Sequence, residues 1–329
     1  MVSSASPVIS QTAGHAITGC YLMENIELNS QNPTASDLHI RKPEWLKTSI
    51  PTGSVFFDIK KDLRSRKLVT VCEEAKCPNI GKCWNTNTAT FMVLGDTCTR
   101  GCRFCNVKTG NPDGLLDASE PLNVAESVKL MSLKYVVITM VDRDDLGDGG
   151  AKHVAQVLDE VKRLNAGIKI EVLAGDFKGS QDAVRTILAS RPDVYAHNIE
   201  TVARLSSRVR DARANYDQSL KALQHAKKMA EYPLYTKSAL MLGLGEEKAE
   251  IFAALQDLRD HDVDFITIGQ YMRPTRKHLS IKRWVHPDEF LEISQKAVAL
   301  GFKGVASAPL VRSSYMAREF YEKATGINL

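Results

Sequence analysis

No apolar run in this 329-residue chain approaches the roughly 18 to 20 residues that a membrane-spanning helix needs. The longest candidates, such as Tyr135 to Val141, have the length of a strand, so the expectation is a protein that does not cross a bilayer. An excess of one charge is missing too: 43 basic residues against 39 acidic ones leave +4, too balanced to mark a dedicated nucleic-acid binder. The first 40 residues contain no Lys or Arg, which argues against the basic start of a secretory signal and the Arg-rich face of a mitochondrial transit peptide. After residue 41 no Gly/Ser linker, exact repeat or low-complexity tract announces a boundary. What is present, 43% hydrophobic and 25% charged residues, is ordinary for a folded chain and excludes disorder as the main state.

Residues 1–40, rich in Ser, Thr, Ala and Asn, are expected to be an irregular N-terminal extension. In the next segment, 41–89, Pro43 to Leu46 and Phe56 to Arg64 read as short amphipathic helices. From 90 to 329 β-branched runs alternate with helical stretches. Strands are expected at Thr90–Leu94, Tyr135–Val141, Lys169–Ala174, Val194–Asn198, Ser238–Leu242 and Phe265–Ile268. Helices are expected at Val124–Ser132, Lys152–Leu164, Gln181–Ala189 with Ser180 as N-cap, Gln218–Ala230 and Ala249–Arg259. That order predicts right-handed βαβ units and a parallel sheet. Six units make either an incomplete (β/α) barrel or a doubly wound sheet, and the pattern alone does not choose.

Of seven cysteines, six fall between Cys72 and Cys105, and Cys20 stands apart. A chain this long has no need of a disulfide framework, so a metal site in the reducing cytoplasm is the better reading. Cys98, Cys102 and Cys105 have three and two intervening residues, which lets one loop wrap a single inorganic cluster. Three thiolates are one short of a closed zinc site or a fully ligated four-iron cluster, so one corner stays open for chemistry. A structural zinc with a remote fourth ligand is the alternative. Cys72, Cys77 and Cys83, with four and five intervening residues, form a second three-thiol set just upstream.

Cys98, Cys102 and Cys105, with Phe104 before the last, resemble the signature of the radical S-adenosylmethionine (SAM) enzymes. Cys72, Cys77 and Cys83, followed by Trp84-Asn85, resemble the second signature of the lipoyl synthase family. Agreement extends through Val141–His153, His197–Thr201, Leu242–Glu246, Gln270–Pro274 and Arg312-Ser-Ser-Tyr315, nearly the whole chain after Arg41. Ala239 and Ala308 stand where that family usually has glycine, and Met316 where His or Arg is common.

The resemblance implies a partial (β/α)6 TIM-type barrel, with the 41–89 segment carrying an auxiliary iron–sulfur loop and the 90–329 barrel ending in the Arg312–Tyr315 segment. It implies two [4Fe-4S] clusters and SAM as cofactors. One cluster would sit on Cys98, Cys102 and Cys105 with SAM on its open iron. The other would sit on Cys72, Cys77, Cys83 and Ser314, chosen over Ser313 by the resemblance alone. Arg312 and Ser314 are the expected catalytic pair. The activity implied is a sulfurtransferase: hydrogen is removed from C6 and C8 of a protein-bound octanoyl-lysine by a 5′-deoxyadenosyl radical, and sulfur is drawn from the second cluster. Implied partners are octanoylated carrier domains (2-oxo acid dehydrogenase E2 subunits and the glycine cleavage H protein) and a ferredoxin or flavodoxin as electron donor.

Contacts to SAM are expected from Phe104, from Gly149 and Gly150 after the second strand, and from Asn198 and Glu200 after the fourth. Glycines allow backbone to approach a ligand closely, although a turn before the next helix explains Gly149 and Gly150 equally well. Between Asp264 and Asp288 there is no acidic residue, while Arg273, Arg276, Lys277, Lys282 and Arg283 lie beside Tyr271 and Trp284. Either this is a solvated face or it docks an acidic carrier domain, with Arg204, Arg208, Arg210 and Arg213 extending it. The rival enzyme is a methylthiotransferase, which shares the radical triplet but spreads its other cysteines over a longer domain; the non-catalytic rival is a zinc module.

Overall fold

Val136, Val137 and Ile138 point alternately to the two faces of one strand, yet all three are sealed from solvent. Such strands belong to a parallel sheet covered on both sides. In the computed structural model, which describes residues 42–48, 54–85 and 88–329, eight strands form one sheet in sequence order. They are β1 (Val69–Thr70), β2 (Thr90–Val93), β3 (Tyr135–Met140), β4 (Lys169–Leu173), β5 (Val194–Ala196), β6 (Tyr235–Leu242), β7 (Phe265–Gln270) and β8 (Gly304–Ser307). Every pair from β2 to β8 is parallel, and β1 runs antiparallel to β2. No pairing joins β8 back to β1 among the described residues, so the barrel is partial. The six expected strands are all present; β8 adds a seventh parallel one. The N-terminal extension and Cys20 lie outside the described residues.

The helices are α1 (Ser54–Ser65), α2 (Val71–Glu74), α3 (Ile80–Asn85), α4 (Glu120–Leu130), α5 (Ala151–Leu164), α6 (Gln181–Ala189), α7 (Ala203–Val209), α8 (Tyr216–Met229), α9 (Lys248–Asp260), α10 (Pro287–Ala299) and α11 (Ala317–Thr325). Apolar residues at helical spacing put Val154, Val157, Leu158 and Val161 of α5 on one sealed face. The side chain of Ser180 caps α6 by accepting from the Ala183 amide, as the sequence predicts. Helix α4 begins at Glu120, four residues ahead of the expected Val124, because Pro121 occupies the first turn where its missing N–H costs nothing.

One end of the barrel is closed by α11. Its Phe320 packs edge-on against Phe265 and its Tyr321 lies 5.2 Å from Tyr135, and those two partners begin β7 and β3. Inside this closed end Lys237 and Glu171 pair at 2.8 Å, and the Tyr135 hydroxyl donates to the same carboxylate. The opposite end, where the strands finish, is left for chemistry, as in parallel barrels generally.

Candidate active site

Both cysteine sets open onto one cavity of about 570 Å³ at the C-terminal ends of the strands. Cys98, Cys102 and Cys105 line it from the loop after β2, and Cys72 and Cys77 from the α2–α3 segment; Cys83, on α3, is not part of the lining. Asn106 joins the two loops by donating to the Glu74 carbonyl at 2.7 Å.

The first loop is held by charge. The buried Arg100 guanidinium donates to Asp144 at 2.9 and 3.0 Å and pairs with Asp176 at 2.7 Å, tying the loop to the ends of β3 and β4. The Asp211 amide points at Cys102 Sγ from 3.3 Å, and His278 donates to the Cys105 carbonyl at 2.9 Å. The second set is stitched to the chain's end: Asn79 donates to the Leu310 carbonyl at 2.7 Å, Lys82 to the Tyr315 hydroxyl at 3.1 Å, and Thr90 to Ser314 Oγ at 2.9 Å. Gly269 makes this docking possible. A Cβ there would lie 1.9 Å from the Val311 carbonyl oxygen.

The donor set fits iron–sulfur clusters. All six thiols are unbridged. Burial pushes Cys72 and Cys102 up to about 12 and Cys83 and Cys105 to about 11, with neighbouring thiols adding to the rise. Sulfurs so placed become thiolates when metal charge compensates them. Among the described residues no three His, Cys, Asp or Glu are grouped as one metal ion would require; a four-iron cluster takes each thiolate on a different iron. Beside each set stands a cation with no ion pair among the described residues, although Asp142 and Glu200 on the same wall feel the charge of Arg210. Arg210, 6% exposed, lines the cavity next to Cys102, and its guanidinium donates to Ser219 Oγ at 2.8 Å. Arg312 lines it near Cys77, with one nitrogen on the Val311 carbonyl at 2.7 Å and its buried Nη2 on nothing. A cation held largely out of water without an ion pair favours a nearby anion, and a thiolate-ligated cluster or its ligand would supply one.

Phe104, Asn198, Glu200, Arg312, Ser313 and Ser314 all line the cavity. Asn198 donates to Glu200 at 3.0 Å. Gly149 and Gly150 do not line it. They turn the chain into α5 with φ of +64° and +86°, and a Cβ on Gly150 would meet Leu94 Cδ1 at 2.6 Å, so turn and packing account for both. The basic residues divide as well. Arg210 is inside the cavity wall rather than on a docking face, Arg204 is paired with Glu250, Arg213 with Asp211, and Arg283 with Glu289. The sequence reading missed Arg210 as a site residue because nothing in its spacing separates it from Arg204, Arg208 and Arg213. Also missed was His197, buried on the wall, whose Nδ1 donates to the Ala174 carbonyl at 2.8 Å and whose Nε2 faces the Ser219 hydroxyl.

A seven-strand parallel half-barrel with a three-thiol loop after its first parallel strand is the arrangement of a radical SAM protein, and residues 92–258 match the radical SAM superfamily. Methylornithine synthase superposes with a TM-score of 0.51 at 15% identity over 81% of this chain and 74% of that one. HydG, a maturase of the [FeFe]-hydrogenase, gives 0.52 at 14% over 82% and 58%; both likenesses concern the fold alone. Residues 21–77 match the N-terminal domain of lipoyl synthase of the radical SAM family. Lipoyl synthase of Deinococcus radiodurans is 54% identical over 85% of this chain and 84% of its own length. The mitochondrial lipoyl synthase of Schizosaccharomyces pombe is 53% identical over 86% and 78%, and the lipoyl synthase of Thermus thermophilus is 51% identical over 86% and 88%. The chain belongs to the lipoyl synthase family.

Proposed function

We propose that this protein inserts two sulfur atoms, at C6 and C8, into an octanoyl chain carried as an amide on a lysine of a carrier protein. The observation that carries this reading is the convergence of both thiol sets on a single cavity, because sulfur can be delivered only where the carbon radical is made. Cys98, Cys102 and Cys105 hold the first four-iron cluster, and Cys72, Cys77 and Cys83 with Ser314 hold the second. When bound, these groups together with SAM supply a radical able to take hydrogen from an unactivated methylene, and the sulfur that replaces it.

The chain's own residues position and shield. Arg210 takes the carboxylate of SAM's methionine moiety, as an unpaired guanidinium on the wall beside Cys102. Asn198 and Glu200 meet its amino or ribose groups, and Phe104 packs against the nucleoside. Val141, Leu173, Leu240 and Met241 on the walls form the apolar channel in which an octanoyl chain displaces water. The Thr90 hydroxyl holds Ser314 toward the second set, and Arg312 balances charge beside Cys77. Segment 41–89 is the auxiliary-cluster unit and 90–329 the barrel.

The carrier is an E2 subunit or an H protein, and the electron donor a ferredoxin or flavodoxin. We place the protein in the cytoplasm, a reducing compartment suited to thiols that hold clusters; no helix among the described residues is long and apolar enough to cross a membrane. The test is anaerobic incubation of reconstituted protein with SAM, dithionite and an octanoyl-lysine peptide. Mass spectrometry is expected to find two added sulfurs per peptide; SAM cleavage without any sulfur gain would overturn the reading.

A further inference from the structure

The basic stretch after β7 divides into two faces. Arg273 borders the cavity, but Arg276 and Lys277 are exposed and do not. Their loop is instead bound to the outer side of the Cys98–Cys105 loop: His278 donates to the Cys105 carbonyl at 2.9 Å, and the Leu279 amide to the Arg103 carbonyl at 3.2 Å. Arg103, immediately after Cys102, is exposed, and its guanidinium reaches the carbonyl of the exposed Arg208 at 3.3 Å. Four exposed cations thus stand behind the radical triplet, and none of them has an ion-pair partner among the described residues. The nearest carboxylate along the chain, Asp211, is taken by Arg213.

We propose that Arg103, Arg208, Arg276 and Lys277 form the docking face for the acidic one-electron carrier that reduces the Cys98–Cys102–Cys105 cluster. The inference rests on the function proposed above, since it presumes a cluster on that loop. An electron donor must bring its redox centre close to the acceptor, and this face reaches the ligand loop through the peptide between Cys102 and Cys105. One electron passes from the reduced flavin or iron–sulfur centre to the cluster, oxidising the donor by one and reducing the acceptor by one, with no atoms transferred. The octanoyl arm has to enter through the cavity mouth, which other cations, Lys42 and Lys76, border. The two protein partners therefore use different faces and do not compete.

The test compares holoprotein with an R208E/R276E/K277E variant, using a reduced acidic flavodoxin and, separately, dithionite. With flavodoxin, bleaching of the cluster absorbance is expected to slow at least about tenfold at low ionic strength. The difference should vanish near ~0.5 M salt. Calorimetric binding of oxidised flavodoxin weakens in parallel. With dithionite, SAM cleavage and the KM for an octanoylated carrier protein stay within about twofold of wild type. Unchanged bleaching, or a raised carrier KM with normal bleaching, overturns the proposal. If dithionite-driven cleavage also falls, the uncharged R276Q/K277Q pair decides by flavodoxin binding alone, and unchanged binding there overturns it.

Discussion

Thr90, the first residue of β2, donates a hydrogen bond across 2.9 Å to Ser314, 224 residues further along the chain. The backbone of Thr90 also hydrogen-bonds the Cys72 thiol, so one residue touches both Ser314 and the second thiol set. Replacing Thr90 by Val keeps the shape and removes the donor. Iron at the second site and sulfur insertion should fall by about 10- to 100-fold, as for other residues that orient a metal ligand, while SAM cleavage persists. Ser314→Cys should suppress product as well, because a thiolate would not release its iron as readily. Unchanged sulfur insertion in either variant would count against Ser314 as a ligand.

Arg312 carries a crossed expectation. Its Nη2 is buried and unsatisfied, and burial pulls its pKa down while the Cys77 thiol pulls it up. Without a cluster this cation is a liability, so Arg312→Met should leave the urea midpoint of the apoprotein unchanged or raised. With clusters the same change should lower the iron retained by Cys72, Cys77 and Cys83. A loss of apoprotein stability with normal iron content would refute the charge-balancing role.

The strands were legible because strands buried on both faces read as continuous β-branched runs; Thr90, Tyr135, Lys169, Val194 and Phe265 all begin where expected. Helix α6 agrees residue for residue, since Ser180 and Pro192 bracket it. By contrast β8 is Gly-Val-Ala-Ser, too small and too short to stand out, and α11 earns its place by plugging the barrel floor with Phe320 and Tyr321, a tertiary fact. The thiol ligands were legible from spacing and resemblance. Arg210 was not, because a lone arginine among four shows its burial only once the loop is folded.

Gly150 separates packing from ligand contact. At φ +86°, with a Cβ that would press on Leu94, Gly150→Ala should cost about 1–3 kcal/mol in the apoprotein, read by urea unfolding. If stability held and only the KM for SAM rose, the residue would be a SAM contact after all.

His197 gives a pH signature. Burial, with Arg210 nearby, pushes its pKa down from 6.5 to about 4. Between these values the unfolded chain binds the proton and the folded one does not, so this contribution is fully present above pH 6.5 and is lost as pH falls toward 4, amounting to about 3 kcal/mol. The carboxylate of Asp176, held down near 2, loses its contribution only at lower pH. In His197→Gln the apoprotein's unfolding free energy should depend less on pH between 4 and 6.5 than in wild type. Parallel curves for the two proteins would contradict the assignment.

The central claim is that each thiol set holds its own cluster and that only the radical set leaves an iron open to SAM. The direct measurement is Mössbauer and EPR spectroscopy of anaerobically reconstituted C72A/C77A/C83A and C98A/C102A/C105A variants, before and after SAM. The account predicts about four irons in each variant, with SAM altering the reduced spectrum only where Cys98, Cys102 and Cys105 remain. A spectrum blind to SAM in that variant would contradict it.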